Sequence, residues 1–263
     1  MSDIEINGWT RISGNGTGGT VLAVDFDGSG RKEATFRDLV RLLPDDLDVW
    51  HAVPPAEAGK PQDYLDRWRT PPGAPVHAIL GYCAGSVYAC ALADLVEADT
   101  GTRPPVVLFN PGLPTVDTLD RDFGGIVEGM TVLTDEERQA LRDGARAARE
   151  AHGDDFDAVS AEYLAMYLTA CDTAFERYGI PPDVGEQLTG LFRAYVTYLS
   201  AAREVELRPA WAHASALTAR EQAGLGFVPG ERVFPLTRAE LLRDREVATM
   251  ALALIATGDG VPR

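Results

Sequence analysis

The chain has 263 residues, 40 acidic against 24 basic side chains, and a formal net charge of −16. That length can bury one large core, or a core with a lid, and a hydrophobic share of 45% with mixed charge marks a globular chain. The acidic surplus argues against nucleic acid and anionic membrane as partners, no apolar run approaches the roughly 20 residues that span a bilayer, and three cysteines make no disulfide framework.

The opening MSDIEINGW carries no basic and apolar signal region, so a reduced, cytoplasmic protein is expected. Trp9 to Ile12 is predicted as an edge strand, Gly14 to Gly19 as a turn and Thr20 to Phe26 as a buried strand. The G-x-G in that turn precedes its strand, which disfavours a dinucleotide site. A helix is predicted near Ala34 to Leu43, a strand over Asp48 to Val53, and a short helix near Gln62 to Arg69. Val76 to Leu80 is the next strand, Ser86 to Ala98 its helix and Pro105 to Phe109 a further strand. This alternation predicts an α/β fold with a mostly parallel sheet and helices on both faces.

From about residue 114 to 208 no strand is predicted. Thr134-Asp135-Glu136-Glu137 reads as a capping box opening a helix to about His152. Phe156 to Tyr178 and Val184 to Arg203 follow as helices with apolar faces, among them Tyr163, Tyr167 and Cys171. Three helices inserted between strands predict a helical lid over 114–208 within a single domain of residues 1–263. Strand character returns at Ala212 to Thr218 and Glu231 to Phe234, and Leu241 to Ala256 closes the chain as a helix.

Chemistry concentrates at Val76 to Ser86, VHAILGYCAGS. An apolar strand ends in Gly81-Tyr82-Cys83-Ala84-Gly85 and opens into a helix. That is the context of the G-x-S-x-G nucleophile elbow with Cys in place of Ser. The turn is tight, so the residues two before and two after the nucleophile must lack bulk. Cys83 then stands at a helix N-terminus, where free N–H groups and the dipole favour an anion. The other reading of Cys83 is a small buried residue in a turn. Cys90 and Cys171 read as packing residues, and no Cys/His cluster has metal-ligand spacing.

With that elbow the chain resembles the thioesterase branch of the α/β-hydrolase superfamily, which acts on acyl or peptidyl thioesters of carrier proteins in polyketide and nonribosomal peptide pathways. Phe26-Asp27-Gly28-Ser29-Gly30 followed by Phe36 is similar to that family's early F-P-x-A-G-G segment, and Ala239 to Ala248 to its last helix. The resemblance implies an oxyanion hole formed by Ala84 N–H and the Ser29 loop, with Gly28, Tyr82 and Arg238 at the substrate. A Cys elbow with a helical lid is similar to Dieckmann cyclases. The implied partner is an acyl or peptidyl carrier protein, its substrate carried on phosphopantetheine, with no other cofactor and no metal.

Two positions depart from the family. Its triad Asp, after the strand that follows the elbow helix, is Asn110 here, and Asp117 in the next loop is a fallback acid. Its His before the last helix falls on Arg238 or Thr237. Asn110 is expected either to orient a catalytic group or to cap the turn before Pro111. Of the four histidines, His77 and His213 stand near strand starts, roughly 15–20 Å from the opposite edge at ~3.3 Å per residue. His51 belongs to a strand beyond the central one and His152 to the lid. All four are expected to be structural or solvated.

The expectation is therefore a Cys83 acyl-enzyme released by cyclisation more than by hydrolysis, because a missing His harms activation of water most directly. Two alternatives stand beside it. One is a degenerate thioesterase-like binding protein. The other is a Mg²⁺-dependent phosphatase, since Val21 to Ser29, VLAVDFDGS, looks like the first haloacid-dehalogenase motif with Asp25 and Asp27 as the acidic pair. Finally, Arg138, Arg142, Arg146 and Arg149 fall within about 80° on one helix face. They form either a solvated, partly paired face or a dock for an acidic carrier protein and its phosphate.

Overall fold

The structure, a computed structural model, describes residues 4–16, 19–27, 33–55, 57–73, 75–224, 227–228 and 230–257. Gly28 and Ser29 of the expected oxyanion loop lie outside these residues. The chain divides into two compact units, one of Met1–Phe26, Glu33–Leu113 and Ala201–Arg263, the other of Asp27–Lys32 and Pro114–Ser200.

The first unit is built on the strands β1 (Glu5–Ile6), β2 (Trp9–Ser13), β3 (Thr20–Val24), β4 (Asp48–Ala52), β5 (Val76–Tyr82), β6 (Val106–Phe109), β7 (Ser215–Ala219) and β8 (Glu231–Phe234). They form one sheet in the order β1-β2-β4-β3-β5-β6-β7-β8. β1–β2 and β2–β4 are antiparallel, and the pairs from β4 to β8 are parallel. The predicted edge strand at Trp9 is therefore second from the edge. Ile6 pairs with Trp9 across Asn7 (φ 52°) and Gly8 (φ 80°), the two-residue turn that Asn-Gly favours because both positions need positive φ.

Strands β3 and β6, and β5 from Ala78 onward, are buried on both faces and read as apolar runs, as parallel strands under two helix layers must. Val21, Ala23, Leu80, Tyr82, Val107 and Phe109 share one core with Phe36 and Leu39 of α1 (Phe36–Leu39) and with Val247, Ala251 and Leu254 of the C-terminal helix. On the other face α2 (Pro61–Trp68) and α3 (Gly85–Thr100) stack Tyr64, Trp68 and Tyr88, with ring centroids 5.3–5.6 Å apart. Asp94 on α3 accepts from Arg103 Nη1 (2.5 Å), Arg208 Nη1 (2.9 Å) and Trp211 Nε1 (3.0 Å). That half-buried carboxylate fixes the segment that feeds β7.

The second unit is helical: α4 (Val116–Gly129), α5 (Asp135–His152), α6 (Phe156–Tyr178) and most of α7 (Pro182–Arg203). Three helices were expected and four are present. α4, capped by the Thr115 hydroxyl on Thr118 N–H, occupies a stretch read as loop. Its two adjacent glycines, Gly124 and Gly125, weaken the helical signal, while Leu119, Phe123 and Val127 supply its buried face. The capping box at Thr134 and Glu137 forms as the sequence predicts. The last element among the described residues is α8 (Arg245–Thr257), preceded by a separate 3-10 turn at Leu241–Arg243.

The approach of α3 to β5 depends on Gly81. A Cβ there would stand 2.8 Å from both Ala89 Cβ and Ser86 Cα, the latter backbone. Gly81→Ala is expected to destabilise the protein by about 1–3 kcal/mol through overpacking. Denaturant unfolding checks this, and an unchanged midpoint would refute it.

Candidate active site

The sheet reverses direction at one place. From β3 the chain moves outward to β4 and then back across β3 to β5. In parallel sheets a crevice opens beyond the carboxyl ends of two such strands. Asp25 follows β3, Cys83 follows β5 and Asn110 follows β6, all at that edge.

Cys83 has φ 50°, a left-handed conformation that non-glycine residues rarely adopt. Such a position costs on the order of 1–3 kcal/mol and persists only where its surroundings hold it. Two hydrogen bonds do so here. Cys83 N–H donates to Phe109 O at 3.0 Å, and Ser86 N–H donates to Cys83 O at 3.1 Å, closing the first turn of α3. The thiol is half-buried, whereas Cys90 and Cys171 are buried. Ala84 caps α3 and is 3% exposed.

Arg238, after β8, reaches this thiol. Its Nη2 lies 3.3 Å from Cys83 Sγ. The guanidinium is 6% exposed and is held from several sides. Nε donates to Glu33 Oε1 at 2.6 Å, Nη1 to Gln222 Oε1 at 2.8 Å, and the backbone N–H to Glu221. Glu33 Oε2 also accepts from Tyr82 Oη at 2.9 Å, and the Arg238 guanidinium lies 5.5 Å from the Tyr82 ring centroid. Tyr82 is 0% exposed, so its hydroxyl serves Glu33 rather than the substrate contact expected of it. Ala34 N–H donates to Ala239 O and Arg243 pairs with Asp38, so the segments after β3 and β8 dock together and carry Glu33 and Arg238 to the same point.

Asn110 is 0% exposed and also left-handed, with φ 47°. Its Oδ1 accepts from Ala219 N–H at 2.8 Å and its own N–H donates to Leu217 O at 3.0 Å. It thus clips β6 to β7 at their carboxyl ends. Its Nδ2 has no hydrogen-bond partner among the described residues.

The remaining candidates lie elsewhere. His51 is buried against the Phe36 ring, His77 is exposed beside Pro75 O, and His213 ends the 3-10 turn before β7. His152 is exposed in the last turn of α5, within the helical unit. Asp117 is in α4, exposed, and paired with Arg149 at 2.7 Å. Asp25 is 2% exposed and its Oδ1 accepts from Phe26 N–H at 2.7 Å, a carboxylate turned back on its own backbone.

Sequence reasoning did not find Glu33, Glu221 or Gln222. The available signal was indirect: a cation placed where a histidine is expected needs a carboxylate if it is buried.

This arrangement allows one thiol chemistry and opposes others. An arginine stays protonated in proteins, so Arg238 donates hydrogen bonds to sulfur but takes no proton from it. Burial pushes the Cys90 thiol up to about 12 and the Cys171 thiol to about 11, which keeps both protonated and unreactive at neutral pH. Iodoacetamide at pH 8 is therefore expected to add once to the native protein, at Cys83, and not at all to Cys83→Ala. Peptide mass mapping checks this; modification of Cys90 or Cys171 in the folded protein would contradict it.

No protein-family profile matches the chain, and no curated protein matches it. Solved structures do. The Vlm2 thioesterase domain with genetically encoded 2,3-diaminopropionic acid, bound with a dodecadepsipeptide, is 18% identical with TM-score 0.51, over 97% of this chain and 99% of that one. The wild-type Vlm2 thioesterase domain is 17% identical with TM-score 0.50, over 96% and 98%. The NocB thioesterase domain, in covalent complex with a fluorophosphonate nocardicin G analogue, is 15% identical with TM-score 0.50, over 92% and 95%. The chain has a thioesterase-like α/β fold.

Proposed function

We propose that the protein takes an acyl or peptidyl group from a carrier-bound phosphopantetheine thioester onto Cys83 and releases it by cyclisation rather than hydrolysis. The observation that carries this reading is Arg238 Nη2 at 3.3 Å from Cys83 Sγ, in the place where the resemblance puts an imidazole.

The two half-reactions differ in their need for a base. In acylation the Cys83 sulfur attacks the thioester carbonyl, the bond to the pantetheine sulfur breaks, and the thiol proton ends on the leaving sulfur. Acylation exchanges one thioester for another, so the sulfur that attacks and the sulfur that leaves are of the same chemical kind. A charge-assisted bond from Arg238 is strongest to anionic sulfur. Hydrolysis instead requires a water with a pKa of ~15.7 to lose its proton, and Arg238 cannot receive it. A nucleophile inside the acyl chain avoids that step. A neutral amine attacks without prior deprotonation, the C–S bond breaks, and its proton passes to the departing Cys83 sulfur. A carbon acid between two carbonyls first loses its proton to solvent; the carbanion then forms the C–C bond, the C–S bond breaks, and the departing thiolate is held by Arg238 until solvent returns a proton. Ala84 N–H and the Ser29 loop are the proposed oxyanion donors. The implied setting is the cytoplasm, with an acyl or peptidyl carrier protein as partner.

A second reading is a protein that binds such a thioester without turnover. One observation favours it: Asn110, at the family's acid position, holds Ala219 N–H instead of orienting a base.

Intact-protein mass spectrometry with acyl- and β-ketoacyl-pantetheine thioesters separates these. The wild type is expected to gain the acyl mass and Cys83→Ala to gain none. Arg238→His, which restores a titratable base, is expected to raise free-acid release at least tenfold. An unmodified wild type with every thioester would favour the binding reading. Free acid released as fast by wild type as by Arg238→His would remove the cyclisation reading.

A further inference from the structure

The arginine face of α5 separates in the structure into two parts. Arg138 belongs to the frame: its guanidinium pairs with Asp135 and donates to Leu133 O (2.7 Å) and Met130 O (3.1 Å), closing the turn after α4. The other three arginines face a cavity of about 410 Å³ between α4 and α5, lined also by Asp120, Phe123 and Val127. That volume is within the ~300–1,000 Å³ of small-molecule sites.

Charge around the cavity is uneven. Arg146 pairs with Asp143 at 3.1 Å and Arg149 with Asp117 at 2.7 Å. Asp120 accepts from Tyr163 Oη at 2.6 Å. Arg142 donates to the neutral Gln139 Oε1 at 3.2 Å and has no acidic partner among the described residues. Arg142 is therefore the cavity-lining arginine that has no bonded carboxylate among the described residues, and Phe123 and Val127 are buried apolar side chains of the same lining. Exposed ion pairs such as Arg146–Asp143 contribute about 0–1 kcal/mol, so an incoming anion competes with them readily.

We infer that this α4–α5 cavity binds an organic carboxylate with an apolar body, its carboxylate on the Arg142 fork and its chain over Phe123 and Val127. A guanidinium fork without a bonded carboxylate fits one carboxylate, and Asp120, bonded to the neutral Tyr163 hydroxyl, opposes any further negative charge. A phosphate monoester would place a second charge near Asp120, and the carboxylates of an acidic protein surface would meet Asp117, Asp120 and Asp143. Guanidinium and carboxylate match as two parallel hydrogen bonds, and the aliphatic chain supplies the apolar burial. The inference does not depend on the reading of Cys83.

Calorimetric titration of the full chain with sodium octanoate, octyl phosphate and octan-1-ol tests it, with acetate as the chainless control. Octanoate is expected to bind at least tenfold more tightly than acetate or octan-1-ol, and less tightly as salt is raised. Arg142→Gln is expected to weaken octanoate at least tenfold and leave octan-1-ol unchanged. Arg142→Lys, which keeps the charge but not the fork, is expected to fall between. Cys83→Ala is expected to bind octanoate as the wild type does. Octanoate affinity unchanged in Arg142→Gln, or no octanoate binding at all, would overturn the assignment. Tighter binding of octyl phosphate than of octanoate would overturn the choice of a carboxylate.

Discussion

The site depends on a backbone that passes from strand to helix within two residues of Cys83. A left-handed cysteine is strained, and the strain is held by the β5–β6 pairing on one side and the first turn of α3 on the other. Gly81 is part of the same constraint, because only a residue without a Cβ lets α3 come this close behind β5. The result is a thiol that follows the sheet's carboxyl edge at the helix N-terminus, beside the place where the strand order reverses. Tertiary packing, not local propensity, keeps it there.

What stands next to that thiol is governed by a different balance. Burying a guanidinium is costly unless its donors are met. Arg238 meets that condition with a carboxylate on Nε, a carboxamide on Nη1, the Tyr82 face beside it and the thiol on Nη2. Glu33 is itself held by the Tyr82 hydroxyl. The network gives the guanidinium one position, and that position faces sulfur. Orientation of this kind, which the Asp of a triad supplies to its imidazole, is supplied here by Glu33, Glu221 and Gln222 to a group that keeps its proton.

Much of the α/β framework was legible because its signals are local. Apolar runs bounded by Gly and Pro marked β3 to β6, and the Thr134 capping box placed the start of α5 at the correct residue. β1 was overlooked although Asn7-Gly8 between Ile6 and Trp9 is a strong hairpin signal. It is only two residues long, too short for alternation to register. α4 was lost to Gly124 and Gly125, whose low propensity is outweighed by the packing of Phe123 against Tyr163 at 4.5 Å between centroids. At the site, Cys83 was legible from glycine spacing, and Arg238 from its place before the last helix. Glu33 lies 205 residues from Arg238 along the chain. No periodicity or spacing joins two such positions; only the docking of the post-β3 and post-β8 segments does. Asn110 could be read as a cap of the turn before Pro111 or as an orienting group; the structure spends its Oδ1 on Ala219 N–H, a distant strand end that neither reading named.

A thiol beside a permanent cation differs from a thiol beside a base in which acceptors it serves. An imidazole activates any weakly acidic nucleophile that reaches it, water included, so selectivity must come from excluding water. A guanidinium activates none by proton removal. In the proposed chemistry the fate of the acyl group then rests on the reactivity of the group that arrives: an amine reacts as it is, a carbon acid between two carbonyls reacts once solvent has taken its proton, and water, far less acidic, does not. Discrimination between ring closure and hydrolysis would thus be a property of the Arg238 side chain itself, and would persist in a site open to solvent. The same constraint sets a limit on substrates. An acyl chain that carries neither an amine nor an acidic carbon within reach of its own carbonyl would remain on Cys83.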